Sequence, residues 1–184
     1  MLNKQSMWMV RAGEDAYLAE EFLSKGLVAI GWNRVGDLTN LKDLESLKIK
    51  LSTTFPEFKT GKINNVAGQI FRFRFEFAKN QKVVTYNNVT RIYHIGEITS
   101  DYYYSSNLTD YHHIRYVKWI SSVGRDDLST AAKNSLGAIM TLFKLPDFLQ
   151  EELLHQKPTP APTFSSNTAD EETVETLDTL KEDI

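Results

Sequence analysis

Two groups of residues have types and spacings that suggest catalysis or metal binding. Glu57-Phe58-Lys59 has the ExK spacing by which a metal-dependent nuclease sets a carboxylate and an ammonium on one face of a strand, and Asp43 lies upstream, where a second acid is needed. The context opposes this use. Asp43 falls in a leucine-periodic helical stretch, and Pro56, directly before the triplet, removes a ladder donor from any strand there. The triplet reads as a chance match. His112-His113 opens a strand-like run, and adjacent strand residues point to opposite faces, so the pair cannot readily chelate one ion; one buried and one exposed ring are expected. The chain has no cysteine and none of the GxSxG, HExxH or phosphate-loop patterns. No catalytic residue, metal site or cofactor is therefore expected in it.

A third group suits recognition. Aromatic and polar residues gather at the ends of predicted strands, in Trp32-Asn33-Arg34 and in Ser100-Asp101-Tyr102-Tyr103-Tyr104. Three consecutive tyrosines cannot all be core. Reading a base outside the duplex needs flat apolar faces for stacking and a few donors and acceptors for the Watson–Crick edge, and Trp, Tyr, Asn and Asp supply both. Trp32, Asn33, Asp101, Tyr102 and Tyr103 are thus candidates for a base-binding pocket. Arg34, Arg72 and Arg74 are candidates for phosphate contact, the last two within a phenylalanine-rich helical stretch whose rings read as core. Trp8 and Trp119, inside strands, read as core. Trp32, beside Gly31 and Asn33, is balanced between pocket wall and core.

The elements that must position these residues follow from periodicity. Met7-Trp-Met-Val-Arg reads as a buried strand, and Glu14 to Lys25 as an amphipathic helix with Tyr17, Leu18 and Phe22 inward and Gly26 ending it. Leu27-Val-Ala-Ile is a second strand. Leu41, Leu44, Leu47 and Leu51 mark a second helix, and Ile63, Val66, Ala67, Ile70, Phe73 and Phe77 a third. Gln81 to Tyr86, Arg91 to Thr99 and His113 to Ile120 read as strands, and Ser129 to Phe143 as a closing helix. Strands interleaved with helices without regular βα alternation predict an α+β fold: a small curved β-sheet or partial barrel of about five to six strands with flanking helices.

Length and charge set the frame. The 184 residues, 41% hydrophobic, suffice for one sizeable core. Residues 1–150 carry 19 Lys+Arg against 15 Asp+Glu, and residues 151–184 carry 2 against 9. A mildly basic body is compatible with phosphate contact but does not establish it. The proline-rich run from Lys157 predicts a linker over 151–168, and Val174, Leu177 and Leu180 in the acidic stretch 169–184 predict the start of a helix leading into a further domain. No apolar run is long enough for a membrane span and no secretory h-region opens the chain, so a cytoplasmic location without a membrane partner is expected.

Met7-Trp-Met-Val-Arg-Ala-Gly, Val28-Ala-Ile-Gly-Trp-Asn-Arg-Val-Gly-Asp-Leu, Ala67-Gly-Gln-Ile-Phe-Arg-Phe and Ala131-Ala-Lys-Asn-Ser-Leu-Gly-Ala-Ile-Met-Thr-Leu-Phe together resemble the N-terminal domain of bacterial Mrr-type restriction endonucleases. That domain is in turn similar to EVE, YTH and other PUA-like modules, which hold a flipped modified base in an aromatic pocket. By this resemblance Trp32 matches the tryptophan after the second strand, Asn33 its polar neighbour, and Arg11-Ala12-Gly13 the pocket floor, so that Arg11 and Gly13 join the candidate residues. The resemblance implies a PUA/EVE-like fold and a module for modified duplex DNA. It also implies a partner nuclease domain, C-terminal in the full-length protein, with a divalent metal belonging to that domain. Two alternatives stay open: an RNA-binding PUA-like domain, because the distinguishing 2′-hydroxyl contact depends on loop geometry, and a protein-interaction domain in which the tyrosines form a hot-spot patch.

Overall fold

A computed structural model describes residues 5–156. Strand β1 (Met7–Val10) alternates strictly: Trp8 and Val10 enter one core, Met7 and Met9 another, because successive side chains point to opposite faces. The stretch from Glu14 to Lys25 is not one helix. A 3-10 turn (Glu14–Ala16) with Asp15 and Ala16 at positive φ precedes α1 (Ala19–Lys25), which ends at left-handed Gly26. That break corrects the expected helix and leaves Tyr17 exposed, while Leu18 and Phe22 are buried as expected. After β2 (Leu27–Ile30) come α2 (Leu44–Thr54), capped by the Asp43 carboxylate accepting from Ser46 N, and α3 (Thr60–Phe71), which runs into a π turn (Arg72–Glu76).

The remaining strands are β3 (Lys82–Asn87), β4 (Ile92–Ile98), β5 (Tyr103–Tyr104) and β6 (His113–Gly124). Helix α4 (Thr130–Leu136) stops at Gly137, and β7 (Leu142–Lys144) follows where the helix from Ser129 was expected to continue. The correction has a tertiary cause: Arg11 donates to the carbonyls of Ala138 and Met140 just past α4, and β7 pairs antiparallel with β1. Helix α5 (Asp147–His155) closes the described chain and buries Leu149, Gln150 and Leu153. The domain boundary expected at Gln150 therefore falls inside a packed helix. The linker and acidic lead-in expected beyond Lys157 lie outside the described residues.

The fold is α+β, with a curled open mixed sheet in the order β2-β6-β4-β3-β1-β7 and β5 on β6; β1 and β3 run parallel and the other pairs antiparallel. The curvature has a local origin. Ile95 pairs with Ser121 and Gly96 with Trp119, so Ile120 is an extra residue on β6, and a bulge of this kind bends and twists its strand. Only glycine fits at 96, since a Cβ there would stand 2.3 Å from Val117 Cγ1 and 2.8 Å from the Trp119 ring. β6 stays on β4 as far as Val117, and its residues 113–116, beyond the bend, pair with β2 and β5 instead. One core, around Trp8, Phe22, Leu51, Ile70 and Phe73, joins α1, α2 and α3 to the sheet; the other, around Met9, Tyr93 and Leu149, joins α4 and α5 to the opposite face.

Candidate functional site

The sheet's bend brings three distant segments to one corner: the end of β1 at Gly13, the end of β2 at Trp32 and Asn33, and the hairpin from Tyr102 to His113. Ile30 pairs with His113 and Val28 with Arg115, so the face of β2 that runs toward Trp32 is in register with His113. The Asn33 side chain fastens the hairpin, its Nδ2 donating to Asp110 O at 2.7 Å and its Oδ1 accepting from His112 N at 3.0 Å. Lys25 donates to Leu108 O, and Thr109 Oγ1 donates to Glu21 Oε2 at 2.6 Å, so the hairpin is also tied to α1. Tyr111 is buried against Gly31, where a Cβ would stand 3.3 Å from its ring, and its hydroxyl would lie 3.4 Å from a Cβ at Gly13. The Tyr17 hydroxyl, bonded to Asp110 and Tyr111, is pushed up to about 12 by burial and by the Asp110 charge.

Trp32 is 1% exposed and belongs to the larger core, so it is not an open wall in this conformation. Two features set it apart from an ordinary core tryptophan. Its backbone is left-handed (φ 58, ψ 38), which costs a bulky residue about 1–2 kcal/mol. Its indole Nε1–H has no hydrogen-bond partner among the described residues, whereas Trp8 Nε1 donates to Gln81 Oε1 and Trp119 Nε1 to Phe22 O. A buried donor left unpaired costs about 1–3 kcal/mol.

His113 is fully buried, whereas His112, expected to be exposed, precedes β6 and is half-buried, with both rings packed against Tyr104. Burial pushes His113 down to about 4, against the pull of the Trp32 carbonyl, so the ring is neutral at pH 7. Its Nδ1 lies 2.7 Å from Tyr102 Oη, which accepts from Leu38 N at 3.2 Å; its Nε2, like His112 Nδ1, is buried and makes no hydrogen bond among the described residues. On the same face of β6, Arg115 is almost fully buried. It donates to Phe73 O, Arg74 O and Ser100 O, which caps the π turn and pins the turn before β5. Burial and the nearby Arg74 charge hold this guanidinium down at about 10.

Other candidates are placed differently. Arg11 is engaged with the carbonyls at the end of α4 and does not floor a pocket. Arg34 pairs with Glu57 at 3.0 Å, donates to Thr54 O and lies over Phe55. Arg74 donates to Leu38 O and Thr39 O with its guanidinium over Tyr102, so it braces the corner. The guanidinium of Arg72, half-buried at the π turn, has no hydrogen bond or ion pair among the described residues and is the candidate left for phosphate. Asp101 is exposed and pairs with Lys79; Tyr103 is exposed beside Tyr116. Asp43 and Glu57 flank α2, which at about 1.5 Å per residue holds them well over 10 Å apart, so the ExK arrangement is not assembled. The described residues include no group of three His, Asp or Glu able to hold a metal, and no helix long and apolar enough to cross a membrane.

His113 and Arg115 were the residues that sequence reasoning undervalued. The available signal was a cation in the middle of an apolar strand, His113-Ile-Arg-Tyr-Val, on the same face as a histidine. A family model described as a domain of unknown function (DUF8426) matches residues 8–146, which run from within β1 through β7 and include the whole corner. The chain belongs to this family. No curated protein matches the sequence. As a member of DUF8426, the chain gains a boundary from the match but no activity, so its function rests on the chemistry of the corner.

Proposed function

We propose that the chain is a DNA-reading module that accepts a methylated base, N6-methyladenine or 5-methylcytosine, turned out of the duplex at the corner of Trp32, Tyr102 and His113, and that it directs a nuclease of the Mrr type. The observation that carries this is Trp32 itself. A buried aromatic ring with a left-handed backbone and an unpaired donor, next to a buried histidine with an unpaired nitrogen, supplies a flat apolar surface and hydrogen-bonding edges in one place. Those are the requirements of a site for a flipped base, and strain of this kind concentrates at functional sites. The resemblance of the blocks around Trp32 to Mrr-type N-terminal domains supports the same reading, as does the π turn beside Tyr102, a feature frequent at functional sites.

Access on this reading is through the hairpin. Its fastenings to Asn33, Glu21 and Lys25 lie at or near the surface, the neutral one contributing about 0.5–1.5 kcal/mol net and the charged ones about 1.5–3, and opening also unpacks the buried Tyr111 ring from Gly31. Lifting residues 105–111 would uncover Trp32, and Arg72 would take a flanking phosphate. DNA as the ligand implies a cytoplasmic protein. The test is a fluorescence-anisotropy titration of the chain against duplexes that differ only in one methylated base, with a matched RNA. The modified DNA should bind about ten-fold more tightly than the unmodified, and all binding should weaken as salt rises. Equal affinity for every duplex overturns the proposal, and tighter binding of the RNA replaces it with the RNA-binding alternative.

A further inference from the structure

The end of α3 and the π turn carry a phenylalanine at every second position: Phe71, Phe73, Phe75 and Phe77. The wide turn sorts them into two pairs. Phe73 and Phe77 are buried with ring centroids 5.0 Å apart, and Phe77 continues onto Trp8 at 4.9 Å, so this pair fills the core. Phe71 and Phe75, with centroids 4.9 Å apart, form an outer pair in which Phe71 is half-buried and Phe75 is 38% exposed. Phe75 belongs to neither core. Its setting is fixed and cationic. Arg115 holds the carbonyls of Phe73 and Arg74, and Arg74, anchored on Leu38 O and Thr39 O, lays its guanidinium 4.7 Å from the Phe75 ring and 5.0 Å from the Tyr102 ring. The Arg72 guanidinium, on the same turn, makes no hydrogen bond or ion pair among the described residues. The turn therefore sets two arginines against one acid, Glu76.

A single exposed apolar side chain needs no explanation, and exposed Phe148 on α5 is of that kind, with no ring or cation–π contact among the described residues. Phe75 differs because a second ring backs it and guanidinium groups stand beside it before any ligand arrives. A flat apolar face with a free cation next to it matches the two parts of a nucleotide, the base and its phosphate. Resting on the DNA-binding function above but not on recognition of a methyl group, we propose that Phe75, backed by Phe71, stacks on an unpaired base of a DNA strand while Arg72 takes the adjacent phosphate. A protein partner would bury the same ring without needing a flat face or a phosphate contact, and that difference sets the test.

The experiment titrates the full chain with a short labelled oligo-dT, single-stranded and unmodified. The parent and Phe75→Tyr, which both present a flat ring, should bind alike. Phe75→Leu, which keeps apolar bulk without that face, should bind about ten-fold more weakly, the loss expected of one stacked base. Arg72→Gln should make the fall of log affinity with log salt shallower by about 0.7, the share of one phosphate contact to a single strand. Failure of the parent to bind oligo-dT overturns the proposal, and so does equal binding by Phe75→Leu, which is the outcome expected of a protein-binding patch. Tighter binding of a matched oligo-U overturns the assignment to DNA. Equal affinity for methylated and unmethylated duplexes, with the oligo-dT pattern intact, overturns base reading at the corner and leaves the Phe75 contact standing.

Discussion

Replacing Trp32 by phenylalanine removes the indole N–H and keeps an aromatic ring at the same buried position. The smaller ring has three fewer heavy atoms, which at about 0.8 kcal/mol for each buried carbon group forfeits roughly 2 kcal/mol of burial. Against this, the unpaired Nε1–H disappears with the substitution, and its burial costs about 1–3 kcal/mol. The two effects nearly cancel, so Trp32→Phe should stay within about 1 kcal/mol of the parent, or roughly 2–4 °C in Tm for a chain of this length. Trp32→Ala gives up the whole ring at about 3–5 kcal/mol, of which the same donor relief returns only part, so it should be clearly less stable. Thermal unfolding read beside anisotropy titration separates these outcomes. If Trp32→Phe loses as much stability as Trp32→Ala, the indole N–H is paired after all and the corner has no free donor there. If it is stable and discriminates modified from unmodified duplexes as well as the parent, Trp32 does not read the base.

A chain ending at Gln150 cuts α5, removing buried Leu153 and the Glu152 carboxylate that accepts from the Ser129 N–H and hydroxyl at 2.6 and 2.8 Å. Loss of one buried leucine side chain costs about 2–5 kcal/mol, so its Tm should fall by roughly 5–15 °C, while a chain ending at Gln156 should not change; equal midpoints would show that the last turns of α5 contribute nothing. Stability should also depend on pH through His113. Its folded value is depressed, from 6.5 to about 4, so its contribution is full above pH 6.5 and is lost as pH falls from there toward 4, because the unfolded chain takes up the proton first. His94, held down by burial, adds in the same direction. Urea unfolding at pH 7 and pH 5 should give a lower free energy at pH 5 by up to a few kcal/mol, and a flat profile would refute neutral burial of His113.

The strands β1, β2, β3, β4 and β6 were legible in the sequence because each alternates or runs apolar over at least four residues, and α2 and α3 because their leucines, isoleucines and phenylalanines keep helical spacing. What was not legible depends on partners far away in the chain. Residues Leu142–Lys144 continue a helical composition, and only β1 beside them makes a strand the better choice. The strand β5 is two residues long and exists through Ile114 and His113. Tyr17 has the spacing of a core residue, but positive φ at Asp15 and Ala16 turns it outward toward Asp110.

The same distinction applies to the corner. Composition marked Trp32, Asn33 and Tyr102 as polar and aromatic residues at strand ends, and the structure brings these three together. It could not assign their roles, because those follow from hydrogen bonds that span tens of residues. Asn33 is spent on Asp110 and His112, and Arg74 on Leu38 and Thr39, which leaves Trp32 Nε1, His112 Nδ1 and His113 Nε2 as the corner's buried nitrogens without a hydrogen bond among the described residues. A residue whose bonds are all satisfied inside the fold stabilises it and has little left to offer a ligand. The unsatisfied ones carry a standing cost that a ligand with matching acceptors would remove. That cost is why the reading of this domain's function rests on the buried nitrogens of Trp32 and His113 rather than on its exposed tyrosines.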